Sequence, residues 1–217
     1  MLKLLNLSFR YSDGIGIDGV TFAVRPGELV LVVGRTGAGK TTLLKLISLE
    51  LMPTAGEIML DRLRSSEIKP RLLPQWRRRI GIIYQDLRLL GDRSALENVR
   101  LVAVCERNLP GSPRMRALKA LARVGLSHKF HNLPGELSTG EQQRTAIARA
   151  LVNEPLVLLA DEPVSNLDID TASEVVDLLT RVNLAGTTML VATHQPERFE
   201  RCRPRMIRIE RGRVVEN

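Results

Sequence analysis

Aromatic residues are scarce in this chain: four phenylalanines, two tyrosines and one tryptophan make up 3% of 217 residues. Each one therefore carries more weight as a clue. Cysteine is scarcer still. Cys105 and Cys202 stand apart, in no C-x-x-C or Cys/His cluster, which argues against a disulfide framework and against a metal site. Two free thiols are expected. Long apolar runs are also missing, since LVLVV (29–33) and LVLLA (156–160) are strand-sized against the roughly 20 residues that a bilayer-spanning helix needs. The opening MLKLLNLSFRYSDG alternates and soon meets Asp13, without the apolar core and cleavage site of a secretory signal. A cytoplasmic protein with no direct membrane insertion is expected.

What is present is a chain long enough for one α/β domain, or for a core with a smaller lobe inserted. At 44% hydrophobic and 26% charged it can form a packed core. The net charge of +8 suits nucleic acid, an acidic membrane surface or phosphate-bearing ligands equally well. Arginines cluster in QWRRR (75–79) and in RCRPRMIRIERGR (201–213), and the second run alternates as a half-exposed strand does. Both are read as solvated faces.

Hydrophobic periodicity predicts a strand at VTFAV (20–24), a turn at RPGE (25–28) and a strand at LVLVV. A helix is predicted over TTLLKLISLEL, stopping at Pro53, followed by strands GEIML (56–60) and RRIGIIYQ (78–85). Over 86–136 the character becomes helical, with SALENVRLVAVCE and RMRALKALARVG separated by the breaker NLPGSP (108–113). Strand and helix then alternate again: helix 141–153, strand 156–160, helix 170–184, strand 187–193 and a final strand pair around 206–215. Residues 1–85 and 137–217 are thus read as one α/β lobe with a mostly parallel sheet, and 86–136 as a helical subdomain inserted into it.

GRTGAGKT, Gly34 to Thr41, satisfies G-x-x-x-x-G-K-[ST] between a predicted strand and a predicted helix. In that context the backbone N–H groups of Gly34, Arg35, Thr36, Gly37, Ala38 and Gly39 can turn inward around phosphate oxygens, aided by the helix dipole. Lys40 would reach the β and γ phosphates, and Thr41, with Thr42 beside it in the first turn, would place its hydroxyl on Mg2+. LVLLADEP ends an apolar strand in two carboxylates. Asp161 would hold the Mg2+ and Glu162 would accept a proton from the attacking water, an arrangement that offsets the desolvation of two adjacent acids. TTMLVATH puts His194 at another strand end, and Gln85 ends a further one, where it can bond a metal-bound water. Tyr11 is either a base-stacking ring or a surface aromatic on an edge strand.

LSTGEQQ (137–143) reads first as a capping box, with Ser138 accepting from the Glu141 N–H and Glu141 reaching back to the Ser138 N–H. The same helix start, with Gly140 inside it, is also an anion site. Because the P-loop already serves this chain's nucleotide, the second site would face the nucleotide of a second subunit.

Taken in order, GRTGAGKT, YQD with Gln85, LSTGEQQR, LLADEP, SNLD (165–168) and ATH with His194 resemble the nucleotide-binding domain of ABC ATPases over essentially the whole chain. Within that superfamily, IGIIYQDLRLLGDRSALENV and ELSTGEQQRTAIARALVNEPLVLLADEP most resemble the FtsE branch, the cell-division ATPases that work with the membrane protein FtsX. Lipoprotein-release and macrolide-exporter ATPases are close relatives of that branch. The resemblance implies a P-loop NTPase with an N-terminal antiparallel β subdomain, and a head-to-tail homodimer with two ATP molecules between P-loop and signature. Ser138 and Gly140 would touch the γ-phosphate held by the opposite subunit, Asp168 would lie at the interface and Tyr11 would stack on adenine. An FtsX-like permease would dock on the helical lobe and the residues after Gln85, which places the protein on the cytoplasmic face of the membrane. Three positions depart from the family pattern: Thr139 in place of the first signature glycine, Val164 after DEP, and Gln195 after His194. Thr139 adds a side chain where the partner's nucleotide would approach, and activity is expected because Ser138 and Gly140 remain. A soluble ABC protein acting on nucleic acid or the ribosome is the competing class, but tandem ATPase domains, a long coiled coil and zinc insertions are all missing from this sequence.

Overall fold

The computed structural model describes residues 1–12, 14, 16–106 and 108–216. Positions 13, 15, 107 and 217 lie outside the described residues.

Strands β1 (Leu2–Arg10) and β2 (Gly16–Val24) form a hairpin, and β3 (Leu29–Val33) runs into α1 (Lys40–Ile47). β4 (Ala55–Leu60) and the short β5 (Leu63–Arg64) return to the hairpin, and α2 (Leu73–Arg78) leads into β6 (Ile80–Ile83). Helices α3 (Ala95–Ala103), α4 (Pro113–Arg123) and α5 (Thr139–Leu151) follow, then β7 (Val157–Asp161), α6 (Ile169–Leu184), β8 (Thr188–Thr193) and the pair β9 (Arg205–Glu210) and β10 (Arg213–Glu216).

Two sheets result. One is antiparallel, in the order β2-β1-β4-β5, and the other has the order β10-β9-β3-β8-β7-β6. The second is parallel from β9 to β6, with β10 antiparallel at its edge. Every residue of β3, β7 and β8 is buried, as expected for strands covered on both faces. The pleat divides them between two cores. Leu31, Leu158, Ala160, Met189 and Val191 join a cluster with α3 to α6. Val30, Val32, Leu159, Leu190 and Ala192 face the opposite way, onto α1, Trp76 and the antiparallel sheet. α1 is thus held between two sheets, with its first turn at the end of β3.

The predicted helix over 41–51 ends early, at Ile47 rather than against Pro53. Leu49 adopts φ +53, and the Glu50 N–H donates to the Lys45 carbonyl (2.9 Å) while the Leu49 N–H donates to that of Leu46 (3.0 Å). That pair is a Schellman closure. The remaining carbonyls at this end are met from α2, since the Trp76 indole donates to Ile47 (2.8 Å) and Arg77 donates to Leu49 (2.9 Å). The reading of QWRRR as a solvated face holds for Gln75 and Arg77, which are exposed, and is corrected at Trp76. Trp76 is completely buried, Arg78 donates to the Cys105 carbonyl and Arg79 to Asp61. The second run fits its prediction: β9 alternates buried and exposed positions before its hairpin with β10. Gln85 lies two residues past the end of β6, not at its last residue.

Trp76 fills the space between α1 and the sheet and also supplies a buried donor. Trp76→Ala should therefore lower the unfolding free energy by about 3–5 kcal/mol, measured by equilibrium denaturation. A loss below about 1 kcal/mol would contradict this packing role.

Candidate nucleotide site

Register brings the chemistry to one edge. Val33 pairs with Thr193, Asp161 with Ala192 and Ile83 with Ala160. The segments that leave the carboxyl ends of β3, β7, β8 and β6 therefore carry Gly34, Glu162, His194 and Gln85 to the same side, the side on which open α/β sheets bind ligands.

The loop after β3 needs glycine at two places. Gly37 and Gly39 have φ +80 and +107, a region that residues with a Cβ enter at a cost. Gly39 is also the N-cap of α1 and brings no side chain to the cap, so the N–H groups of the first turn stay open to an anion. Arg35 and Thr36 are exposed and Ala38 is buried. From behind, the Gly212 N–H donates to the Ala38 carbonyl (2.9 Å) and the Asp18 N–H donates to the Gly212 carbonyl (2.9 Å). Arg211 and Gly212, with φ +47 and +78, make the tight turn between β9 and β10, and a Cβ on Gly212 would strike the Gly16 carbonyl. The last hairpin is thus a buttress for the glycine loop after β3.

Lys40 is 7% exposed. Its Nζ donates to the Gly34 carbonyl (2.8 Å) and the Arg35 carbonyl (3.4 Å) and lies 3.5 Å from Glu162 Oε1. Glu162 adopts φ +47, a conformation that costs a non-glycine residue about 1–3 kcal/mol and concentrates at functional sites. Its N–H donates to the Ala192 carbonyl (2.8 Å), and its Oε2 lies 2.9 Å from His194 Nδ1 and accepts from the His194 N–H (3.3 Å). The carboxylate is therefore fixed between an ammonium and an imidazole. Gln195 supports the imidazole, with its Nε2 3.2 Å from His194 Nε2. Val164, where the sequence departs from its family, is a buried core residue.

Asp161 is buried, and its Oδ1 has no hydrogen-bond partner. Burial raises its pKa, an effect that the Thr41 side chain partly offsets by hydrogen bonding. Thr41, Gln85, Asp161 and Asn166 border one cavity of about 400 Å³. No cluster of three or more His, Cys, Asp or Glu side chains suited to a metal occurs among the described residues. One carboxylate, one hydroxyl and one amide fit a hard cation that keeps several waters and takes phosphate oxygens, the habit of Mg2+. The partnerless Oδ1 is the ligand such an ion would use.

Tyr11 is an exposed ring set edge-on against Phe9 at 4.9 Å, and its hydroxyl lies 3.4 Å from Thr42 Oγ1. It stands beside the first turn of α1. The capping box is present as read. The Ser138 N–H donates to Glu141 Oε2 (2.8 Å), and the Glu141 N–H donates to Ser138 Oγ (3.2 Å). That backbone bond holds the Glu141 pKa down, so the carboxylate stabilises the helix start while ionised and loses this role as pH falls through the lowered pKa. Ser138 and Thr139 are exposed. Thr139 is the first residue of α5 and has no positive φ, so the backbone there does not require glycine. Asp168 caps α6 by accepting from the Thr171 N–H (2.9 Å).

A second cavity, of about 250 Å³, joins Thr139, Gln143 and Asn166 to Gln85 and Glu162. Gln143 was not singled out from the sequence, where it reads as one more helical polar residue. It is 5% exposed, and its Nε2 has no hydrogen-bond partner. The buttress of Gly212 also went unmarked, because the pattern 206–215 shows a strand pair but not what its turn touches.

The family model for the ABC transporter matches residues 17–165. The chain is 39% identical over 218 residues to the cell division ATP-binding protein FtsE of Bacillus subtilis strain 168, covering 100% of this chain and 96% of the relative. It is 41% identical over 215 residues to FtsE of Escherichia coli K12, covering 99% and 97%. Among solved structures it is similar to the ATP-binding cassette MJ0796, described as a dimer in a post-hydrolysis state bound to ADP and Pi. That match has a TM-score of 0.88 and 34% identity, over 100% of this chain and 97% of the other.

Gly140 has a packing reason to be glycine, since a Cβ there would sit 2.5 Å from Thr171 Cγ2. Gly140→Ala should cost about 1–3 kcal/mol through overpacking, more than the roughly 1 kcal/mol that alanine gains in helix propensity. Adding Thr171→Ser, which removes Cγ2, should restore most of the loss in thermal unfolding. A Gly140→Ala protein as stable as the parent would show that the helices part without cost.

Proposed function

The chain belongs to the ABC transporter family as an ATPase, and from that premise we propose that two copies close around ATP and drive an FtsX-like membrane partner in cell division. The carrying observation is the Glu162 carboxylate, strained in backbone and held between Lys40 and His194 at the mouth of the phosphate loop.

In this reading the amides of residues 34–39 and the first turn of α1 take the phosphates. Lys40 gives up the Gly34 and Arg35 carbonyls for the β and γ oxygens. Thr41, Asp161 and Gln85 would hold Mg2+, which when bound neutralises charge on those oxygens. Glu162 accepts the proton of the water that attacks the γ-phosphorus; the bond to the bridging oxygen breaks, leaving ADP and phosphate. His194 orients Glu162 through the 2.9 Å contact. Tyr11 offers its exposed face to adenine.

Ser138 and Gly140 would complete the site of the other copy, with Asp168 at the interface. This is supported by the exposure of Ser138 and Thr139, with Gly140 buried behind them, and by the dimeric state described for MJ0796. The membrane partner would dock on the helices of 86–136 and the residues after Gln85, with the chain peripheral on the cytoplasmic face. No helix among the described residues is long and apolar enough to cross a membrane. The full-length similarity to FtsE proteins favours the division role over a lipoprotein-release or macrolide-type exporter. The proposal includes no nucleic acid.

Glu162→Gln should bind ATP about as tightly as the parent while turnover falls about 100-fold or more. Undiminished hydrolysis by this variant would refute the general-base role. ATP should drive the Glu162→Gln chain into a dimer seen by gel filtration or light scattering, and Ser138→Arg in that background should abolish it. A dimer that survives the arginine would place the signature elsewhere than against the second nucleotide.

A further inference from the structure

Arg149 stands in the last turn of α5, the helix that Ser138 begins. Its Nη1 donates to the Arg88 carbonyl at 2.5 Å, and its Nη2 donates to the carbonyl of Leu87. The residues so gripped are unusual. Leu87 and Arg88 have φ +55 and +48, two successive left-handed residues that both carry side chains, a conformation disfavoured for L-residues. The segment after Gln85 is therefore not in the shape its own residues prefer. Partners outside it supply the difference.

On the other side the same segment is tied to the end of α1. The Arg88 guanidinium lies over the Tyr84 ring at 3.9 Å and 3.6 Å from Glu50 Oε2, while the Tyr84 hydroxyl donates to Glu50 Oε1 at 2.9 Å. Gln85 sits between these anchors, exposed, on the cavity that it shares with Thr41 and Asp161.

We propose that Arg149 is a positioning residue for ATP hydrolysis, bridging the Leu87 and Arg88 carbonyls so that Gln85 is held at the cavity beside Thr41 and Asp161. The proposal rests on the reading of Gln85 given above and extends it to a residue that touches neither nucleotide nor metal. A planar fork spans two neighbouring carbonyls; an ammonium on a flexible stem lacks that geometry. Because α5 also presents Ser138, the bridge makes the Gln85 loop follow the helix that faces the second nucleotide.

The test compares the full-length parent with Gln85→Ala, Arg149→Lys and the double variant. Each is assayed for steady-state hydrolysis across ATP and Mg2+ concentrations, equilibrium ATP binding and thermal unfolding. Arg149→Lys should lower kcat about 10- to 100-fold and raise the Mg2+ concentration for half-maximal rate, with ATP affinity and unfolding midpoint near the parent's. The double variant should be no slower than Gln85→Ala. A parental kcat in Arg149→Lys, or losses that multiply in the double variant, would overturn the proposal. If Gln85→Ala is slow and Arg149→Lys is not, only the Arg149 role falls. If Gln85→Ala keeps full turnover, the Gln85 reading falls first and this one with it. Arg149→Gln, which is shorter, uncharged and without the fork, replaces the lysine variant should that one unfold.

Discussion

The parallel register of β3, β8, β7 and β6 is the constraint on which the rest depends. Val33 opposite Thr193 and Asp161 opposite Ala192 leave the polar ends of buried apolar strands at one level. A shift of one residue in any strand would turn its side chains to the other face. Both faces are packed here, by α3 to α6 on one side and α1 with Trp76 on the other, so such a shift would bury the wrong set twice. Hydrophobic burial therefore fixes where Lys40, Asp161, Glu162 and His194 meet, although none of them belongs to an apolar cluster.

Rigid strands alone do not set the loops. The phosphate loop is braced by Gly212, Glu162 by Lys40 and His194, and the Gln85 segment by Arg149 and the Glu50–Tyr84–Arg88 contacts. Each brace meets a residue whose φ is positive or stands next to one. Unfavourable backbone shapes persist where neighbours over-determine them, and Leu87, Arg88, Glu162 and Arg211 are four such positions after the carboxyl ends of parallel strands, while Asn6, Asp61, Glu154 and Arg203 lie elsewhere. The strain and the bracing are one feature seen from two sides.

What the sequence made legible was local in spacing. GRTGAGKT, LLADEP and S138-x-x-E141 each place donors and acceptors within a few residues, so the backbone period suffices to read them. The strand and helix alternation likewise gave the parallel sheet and the helical segment over 86–136. The misread features depend on partners far along the chain. α1 stopped before Pro53 because Leu49 turned left-handed and Trp76 and Arg77 met its carbonyls; Arg77 does so while remaining exposed. Gly140 reads from the sequence as part of an anion site, and nothing in its spacing shows that it is the point where α5 passes Thr171. Arg149 bonds to residues 61 and 62 positions away, and no periodicity announces such a partner.

The electrostatics of the edge follow from these placements. Asp161 pairs in register with Ala192 between buried strands, and that burial raises its pKa while Thr41 only partly offsets it. A folded-state pKa above the ordinary aspartate value of 3.8 means that the folded chain holds this proton more tightly than the unfolded one. The contribution of this group to stability is complete below that value and is lost as pH rises through the raised pKa. Wherever Asp161 is ionised, its charge is thus a cost of the fold. A divalent cation at the free Oδ1 favours the charged form and reverses the sign, so that part of its binding free energy is relief of that cost. Lys40 shows the converse: its charge is already served by the Gly34 and Arg35 carbonyls and by Glu162, so phosphate must replace good contacts. The edge therefore favours a ligand that brings cation and phosphate together over either one alone.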